Sequence, residues 1–446
     1  MVSSSVPPAT RASASGRAYI NDELARKAWA VLSANNRSGY TVPSPELFPF
    51  QWNWDSPLVA MALAHIDEER AFVEIETLLA SQWESGLVPH IIYHVPSDGY
   101  FPGPEVWGTD RQPPTSGISQ PPIAATCLRY IIEMSADSDA ALKRAAPLVV
   151  NLLRWHRWWH EARDPEGTGL VSILHPWESG RDNSVDWDEP LNAFEPVVDV
   201  SKLRKDRLHV DAKQRPSDVY YDRVITLIQL ARSVGWNDLA MVQSSLFRVC
   251  DVGVQSILVR ADEDLMALLR LMGDQAGAKQ VECWHSKSRE AIDRLWDGEA
   301  GAYRAFDLRA GKFVPSTSAT AFLPLYAGAV DETKAKAIKE LCDRAFTLCI
   351  FAMPQVMPDT PGYDPDNYSR GPTWPYLNRI IADGLSRYGF RDSADRLRSD
   401  TQRLIARSGY REYYNPTSGE GLGGDQFAWT AAAWLIWAGL VEKEQS

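Results

Sequence analysis

No stretch of this chain approaches the roughly 18 apolar residues that cross a bilayer, and its N-terminus has no apolar signal core. Cysteine is scarce. Cys127, Cys250, Cys283, Cys342 and Cys349 are odd in number, scattered and without CxxC spacing, which predicts reduced thiols in a cytoplasmic protein. Basic residues are outnumbered, 46 Lys and Arg against 58 Asp and Glu, for a net charge of -12. That balance argues against a nucleic-acid or anionic-membrane partner, while a small anionic ligand would need its own local basic site. GK[ST] and GxSxG are missing, which removes the P-loop and the nucleophile elbow. His156 and His160 have the spacing of a zinc pair, but HRWWH lacks the glutamate of HExxH and reads as helix packing. Asp182, Asn183, Asp186 and Asp188 imitate a calcium loop only loosely, with no glycine at the turn. Neither a metal nor a cofactor is expected.

What is present is tryptophan, seventeen in all, and many sit in turn-rich segments: Trp52, Trp54, Trp107, Trp177 and Trp187. The densest mixture is HPWESGRDNSVDWDEP, residues 175–190, where five carboxylates stand among two indoles, an arginine and an asparagine. Indole faces stack on the C–H faces of a pyranose, and carboxylates bind hydroxyls or move protons, so this composition suits sugar chemistry.

Around that stretch the dominant period is helical. An apolar face of Leu24, Ala28, Trp29, Val31 and Leu32 follows Asn21 as N-cap, and Trp52, Trp54 and Asp55 fall on a proline-rich connection before a helix over 58–65. Further helices are predicted over 68–82, 121–134, 140–161, 219–234, 237–258, 262–271, 275–295, 318–326, 331–344, 375–388, 392–406 and 426–440, with Asp331 and Asp425 as caps. About thirteen helices and no strand series predict an all-α fold. Residues 1–17, small, polar and proline-bearing, are expected to be a floppy tail before one catalytic domain over 18–446. Long connections at 84–119, 164–217, 298–317, 351–373 and 408–425 hold nearly all the unusual residues. An (α/α) barrel, a toroid of helix pairs with its long loops gathered at one end, fits this alternation better than a repeat array. Arg215, Tyr220 and Tyr221 in QRPSDVYYD read either as a helix start or as an arginine and phenols facing the cleft.

FQWNWDSP (50–57), SQPP (119–122), ESGRDNS (178–184), RGPTWPYLN (370–378) and EYYNPTSGEGLGGDQFAWT (412–430), in that order, resemble glycoside hydrolase family 63 and, more distantly, the trehalases of family 37. Within family 63 the chain resembles the short single-domain members acting on mannosylglycerate or glucosylglycerate, the mycobacterial glucosylglycerate hydrolases among them. The resemblance implies an (α/α)6 barrel and hydrolysis with inversion. It places the general acid on Asp182 and the general base on Glu412, with Glu420 as a rival. It also places sugar-binding groups on Trp54, Asp55, Gln120, Trp374 and Trp429. Trp52 and Trp177 join them as aromatic walls. Arg215 and Tyr221, with Tyr376 as a hydroxyl partner, are the candidates for an aglycone carboxylate. The GGGGEY ending of members acting on larger glycans or trehalose is absent, which disfavours those substrates.

The expected activity is cleavage of glucosylglycerate to glucose and D-glycerate. Mannosylglycerate and trehalose-like substrates are the alternatives, and a sugar-binding toroid without catalysis is the rival of another class. A homo-oligomer is compatible with the sequence, which marks no face for one.

Overall fold

The computed structural model describes residues 17–96, 99–351 and 353–442. Burial decides the architecture. Every side chain of the helix Asp55–Leu63 is buried, and a helix with no face for water must lie inside. Five further segments, largely buried, join it: Ala124–Met134, Val252–Leu271, Leu323–Tyr326 with the 3-10 turn Ala319–Phe322 before it, Pro375–Arg387, and Ala428–Ala433 continued by the π-turn Trp434–Ala438. Each packs on the next and the last packs on the first, so the six close into a ring.

Asp22–Asn35, Glu68–Ala80, Ser138–Ala162, Gln275–Ala291, Glu332–Leu348 and Arg391–Ser408 alternate with the inner helices along the chain and form the outer layer. Their patterning is one-sided. In Glu332–Leu348 the buried residues are Ala335, Ile338, Cys342 and Ala345, a single stripe at helical spacing. Five of these outer helices begin at an Asn or Asp whose side chain accepts a first-turn amide: Asn21, Asp67, Asp137, Asp274 and Asp331. Six inner and six outer helices make an (α/α)6 toroid.

Three expectations about local structure change. The helix predicted over 237–258 breaks: it ends at Ser244, Val249–Cys250 pairs as a strand with Phe306–Asp307, and Asp251 then caps the continuous helix Val252–Leu271 by accepting from the Val254 amide at 2.7 Å. The predicted breaks at 259–261 and 56–57 do not occur. Asp55 opens its helix three residues earlier than expected, because Pro57 lies in the first turn, where a missing N–H costs nothing. Asp425 is not a cap: Gln426 has φ +50 and the helix starts at Ala428, with the Phe427 and Ala428 amides bonded to Tyr410 and Pro43 carbonyls instead.

The expected tail lies outside the described residues apart from Arg17, which opens the strand Arg17–Tyr19 paired antiparallel with Leu440–Glu442. All five cysteines are free, and no described helix is long and apolar enough to cross a membrane.

Candidate active site

The connections that enter inner helices converge at one end of the ring and enclose a cleft. Trp52, Trp54, Asp55, Gln120, Trp177, Asp182, Arg215, Tyr221, Glu412 and Trp429 all line it. Where five outer helices begin with capping oxygens, three inner helices begin with Trp54, Trp374 and Phe427 in the cap position, none using its side chain to cap. Trp54 and Phe427 thereby reach the cleft. Two sequence candidates are displaced from it. Trp374 and Tyr376 stand one layer back, packed on Trp429 with ring centroids 5.5 and 4.5 Å away, because that indole takes the cleft face. Glu420 is exposed and outside the cleft.

The segment around Asp182 is built from its own charges. Glu178, fully buried, meets Arg163 at 2.9 Å and accepts the amides of Leu174 at 2.8 Å and Ser119 at 3.4 Å, so one carboxylate ties this segment to the loop carrying Gln120. Arg181 turns away from the cleft to bridge Asp186 and Asp251, anchoring the segment to the start of the inner helix Val252–Leu271. Asp188 holds Arg370 with two bonds of 2.9 and 2.6 Å. Glu189, by contrast, meets Lys312 at the exposed surface. His156 and His160 clamp Asp262 at 2.7 and 2.9 Å, joining an outer helix to an inner one. These contacts leave Asp182 pointing into the cleft.

Gly180, at φ +68, lets the Trp54 ring lie flat against the turn; an added Cβ would overlap Cζ2 of that indole. Gly180→Ala is therefore expected to cost about 2 kcal/mol of stability and roughly 100-fold in kcat/KM. Denaturant titration and steady-state kinetics check this, and turnover at the wild-type level would show that Trp54 yields freely.

Asp55, Asp182 and Glu412 share the cleft with one deep guanidinium, Arg215. Burial pushes Asp182 up to about 7, against the opposing pull of Arg215 and with the help of Glu412. Burial likewise lifts Glu412 to about 7, opposed by Arg215 and by the Gly424 amide. Asp55 is driven well above the carboxylate range by burial and by the charge of Glu412. The two groups near 7 are not equivalent. Glu412 Oε2 accepts the Gly424 N–H at 2.9 Å, a bond that favours the ionised form, while its buried Oε1 has no partner. No described side chain donates to the Asp182 carboxyl, whose segment is held instead by the Tyr220 hydroxyl bonded to its carbonyl.

Arg215 faces the cleft, as expected, but is already tied to a carboxylate. Its Nε meets Asp206 at 3.1 Å, and Asp206 also receives Arg204 and the Tyr221 hydroxyl at 3.4 Å, leaving Arg215 Nη1 buried without a partner. Sequence reasoning missed Asp206, Lys205, Tyr368 and Phe48, all of which line the cleft. Tyr368 lies two residues before the RGPTW motif, whereas Phe48, Lys205 and Asp206 carried no signal beyond neighbourhood. Tyr100 and Phe101, from the long connection 84–119, form part of the wall.

Residues 48–430 match the family described as the mannosylglycerate hydrolase MGH1-like glycoside hydrolase domain. The mannosylglycerate hydrolase MGH1 of Selaginella moellendorffii is 41% identical over 454 residues, covering 98% of this chain and 92% of that protein. The glucosylglycerate hydrolase of Mycolicibacterium hassiacum is 34% identical over 436 residues, covering 94% and 98%. A family 63 mannosylglycerate hydrolase from Thermus thermophilus, solved with Tris and D-glycerate, superposes with a TM-score of 0.88 at 41% identity over 93% of this chain and 99% of that one. The chain belongs to the mannosylglycerate hydrolase MGH1-like glycoside hydrolases of family 63, and it is a glycoside hydrolase with their (α/α)6 fold.

Proposed function

We propose that this glycoside hydrolase cleaves the α-glycosidic bond of a hexosyl glycerate with inversion, using Asp182 as general acid and Glu412 as general base. The observation that carries the reading is the pair of buried carboxyls raised to about 7 in one cleft, of which Glu412 accepts the Gly424 amide at 2.9 Å and keeps a buried oxygen without a partner among the described residues. Asp182 gives its proton to the glycosidic oxygen as the C1–O bond breaks. Water adds to C1 from the opposite face and passes a proton to Glu412, releasing the β-hexose and D-glycerate. Asp55 and Gln120 bind hexose hydroxyls, and Trp52, Trp54, Trp177 and Trp429 enclose the ring. The glycerate carboxylate takes the empty Nη1 of Arg215 and the Tyr221 hydroxyl.

Glucosylglycerate was the expected substrate, and relatives named for both the mannosyl and the glucosyl compound match the chain. The two sugars differ at one C2 hydroxyl, a difference read by few contacts. Incubation with glucosylglycerate, mannosylglycerate and trehalose, followed by proton NMR of the freed hexose, tests substrate and stereochemistry together. A first-formed α-anomer, or turnover of trehalose alone, overturns the proposal.

Arg215→Ala is expected to raise KM for the glycerate glycoside about 30-fold or more, with little change for the uncharged glucosylglycerol. Equal effects on both would remove Arg215 from the aglycone site. Thermal melting of the variant separates this from the loss of its bond to Asp206.

A further inference from the structure

The charge balance of the cleft leaves one requirement unmet. Four carboxyl groups, Asp55, Asp182, Asp206 and Glu412, already line it, and an anionic aglycone adds a fifth acidic group. The deep cation, Arg215, is half committed to Asp206 at 3.1 Å. Asp206 is shared in turn with Arg204 at 2.8 Å, and Arg204 and Arg207 both meet Asp218, at 3.0 and 2.8 Å. That network spends most of its positive charge internally.

Lys205 does not belong to it. It lines the same cleft as Arg215 and Tyr221, is only half-buried, and its ammonium meets no carboxylate within ion-pair distance among the described residues. It sits in KLRKDRLHVDAKQR, residues 202–215, which holds six Lys and Arg against two Asp in a chain whose net charge is -12. A cation unpaired at the wall of a low-dielectric cleft attracts an anion more strongly than one on an open surface.

We infer that Lys205 is a specificity-determining residue: it supplies the balancing charge for an anionic aglycone and so selects glycosides of hydroxy acids over those of neutral polyols. The inference rests on the hexosyl glycerate reading and deepens it. Arg215 offers a fixed planar fork deep in the cleft, while the lysine offers a mobile point charge beside it. Lys205 acts on binding of the aglycone and takes no part in proton transfer.

The test compares wild type, Lys205→Gln and Lys205→Arg on a glycerate glycoside and on glucosylglycerol, which carries CH2OH in place of the carboxylate. In Lys205→Gln, KM for the acid is expected to rise about tenfold with kcat unchanged, while kcat/KM for glucosylglycerol stays at the wild-type value. The fall in kcat/KM of the wild type between roughly 20 and 300 mM salt should flatten in that variant. Lys205→Arg should restore most of the preference. Calorimetry with D-glycerate alone reads the same site without turnover: its affinity should drop about tenfold in Lys205→Gln. D-glycerate bound equally by both proteins, or by neither, overturns the inference. D-glycerate bound through Lys205 by a protein that cleaves no glycerate glycoside would instead uphold it and overturn the proposed function.

Discussion

Asp182→Asn and Glu412→Gln are each expected to lower kcat on the hexosyl glycerate by about 10^3-fold, with the fold intact by circular dichroism. Wild-type turnover in either variant would return the protein to a sugar-binding toroid. The pH profile carries a second signature. The proposed mechanism needs Glu412 ionised and Asp182 protonated, and both lie at about 7, so kcat/KM should form a narrow bell centred near neutrality. Residual activity of Asp182→Asn should lose the alkaline limb, and that of Glu412→Gln the acid limb.

Stability should move in the opposite sense to the usual carboxylate. Both folded values lie above the roughly 4 of an unfolded chain, so the folded state holds more protons across that interval. Their favourable contribution is present in full below about pH 4 and is lost as pH rises through about 7. Asp182→Asn, which cannot ionise, is therefore expected to melt above the wild type at alkaline pH and close to it in acid. A variant less stable at alkaline pH would show that Asp182 makes contacts worth more than its buried charge costs.

Glu178→Ala is expected to cost about 3 to 5 kcal/mol in denaturant titration, because it strands a fully buried guanidinium. Arg163 would keep only the face of Trp158, 4.4 Å from its Cζ, and a 3.5 Å approach to Asp238. The amides of Leu174 and Ser119 would lose their acceptor as well. Activity should fall with stability, since Ser119 precedes Gln120 and Glu178 precedes Gly180 on the two walls of the cleft. Replacing both partners, as Glu178→Leu with Arg163→Met, should recover part of the loss, because the stranded charge goes with its partner. A cost below about 1 kcal/mol for the single variant would mean that water reaches Arg163.

The buried ion pair and the two carboxyls near neutrality were legible in the sequence to different degrees. ESGRD and EYYNP marked Asp182 and Glu412 by motif, which left Glu178, Asp186, Asp188 and Glu189 of the dense stretch 175–190 as expected supports without naming their partners. Arg163, Arg181, Ser318 and Arg370 supply those partners for Glu178, Asp186 and Asp188, whereas Glu189 pairs with Lys312 at the exposed surface. The break at 245–251 escaped because helical period continues through it, and the strand partner that stops it lies more than fifty residues away.

By itself the sequence determined the alternation of helices, the apolar stripe of each outer one, the inner segment 55–63 without a polar face, and the order of the motifs on the connections between them. Those properties are local, set by side-chain period and capping within a few residues. Closing the ring decided the rest. It put Trp374 and Tyr376 behind Trp429, bound Arg215 to Asp206, left Lys205 at the cleft wall without an ion pair among the described residues, and raised Asp182 and Glu412 together. Packing order, charge pairing and desolvation depend on what stands opposite a residue in space, and its neighbours in sequence do not carry that information.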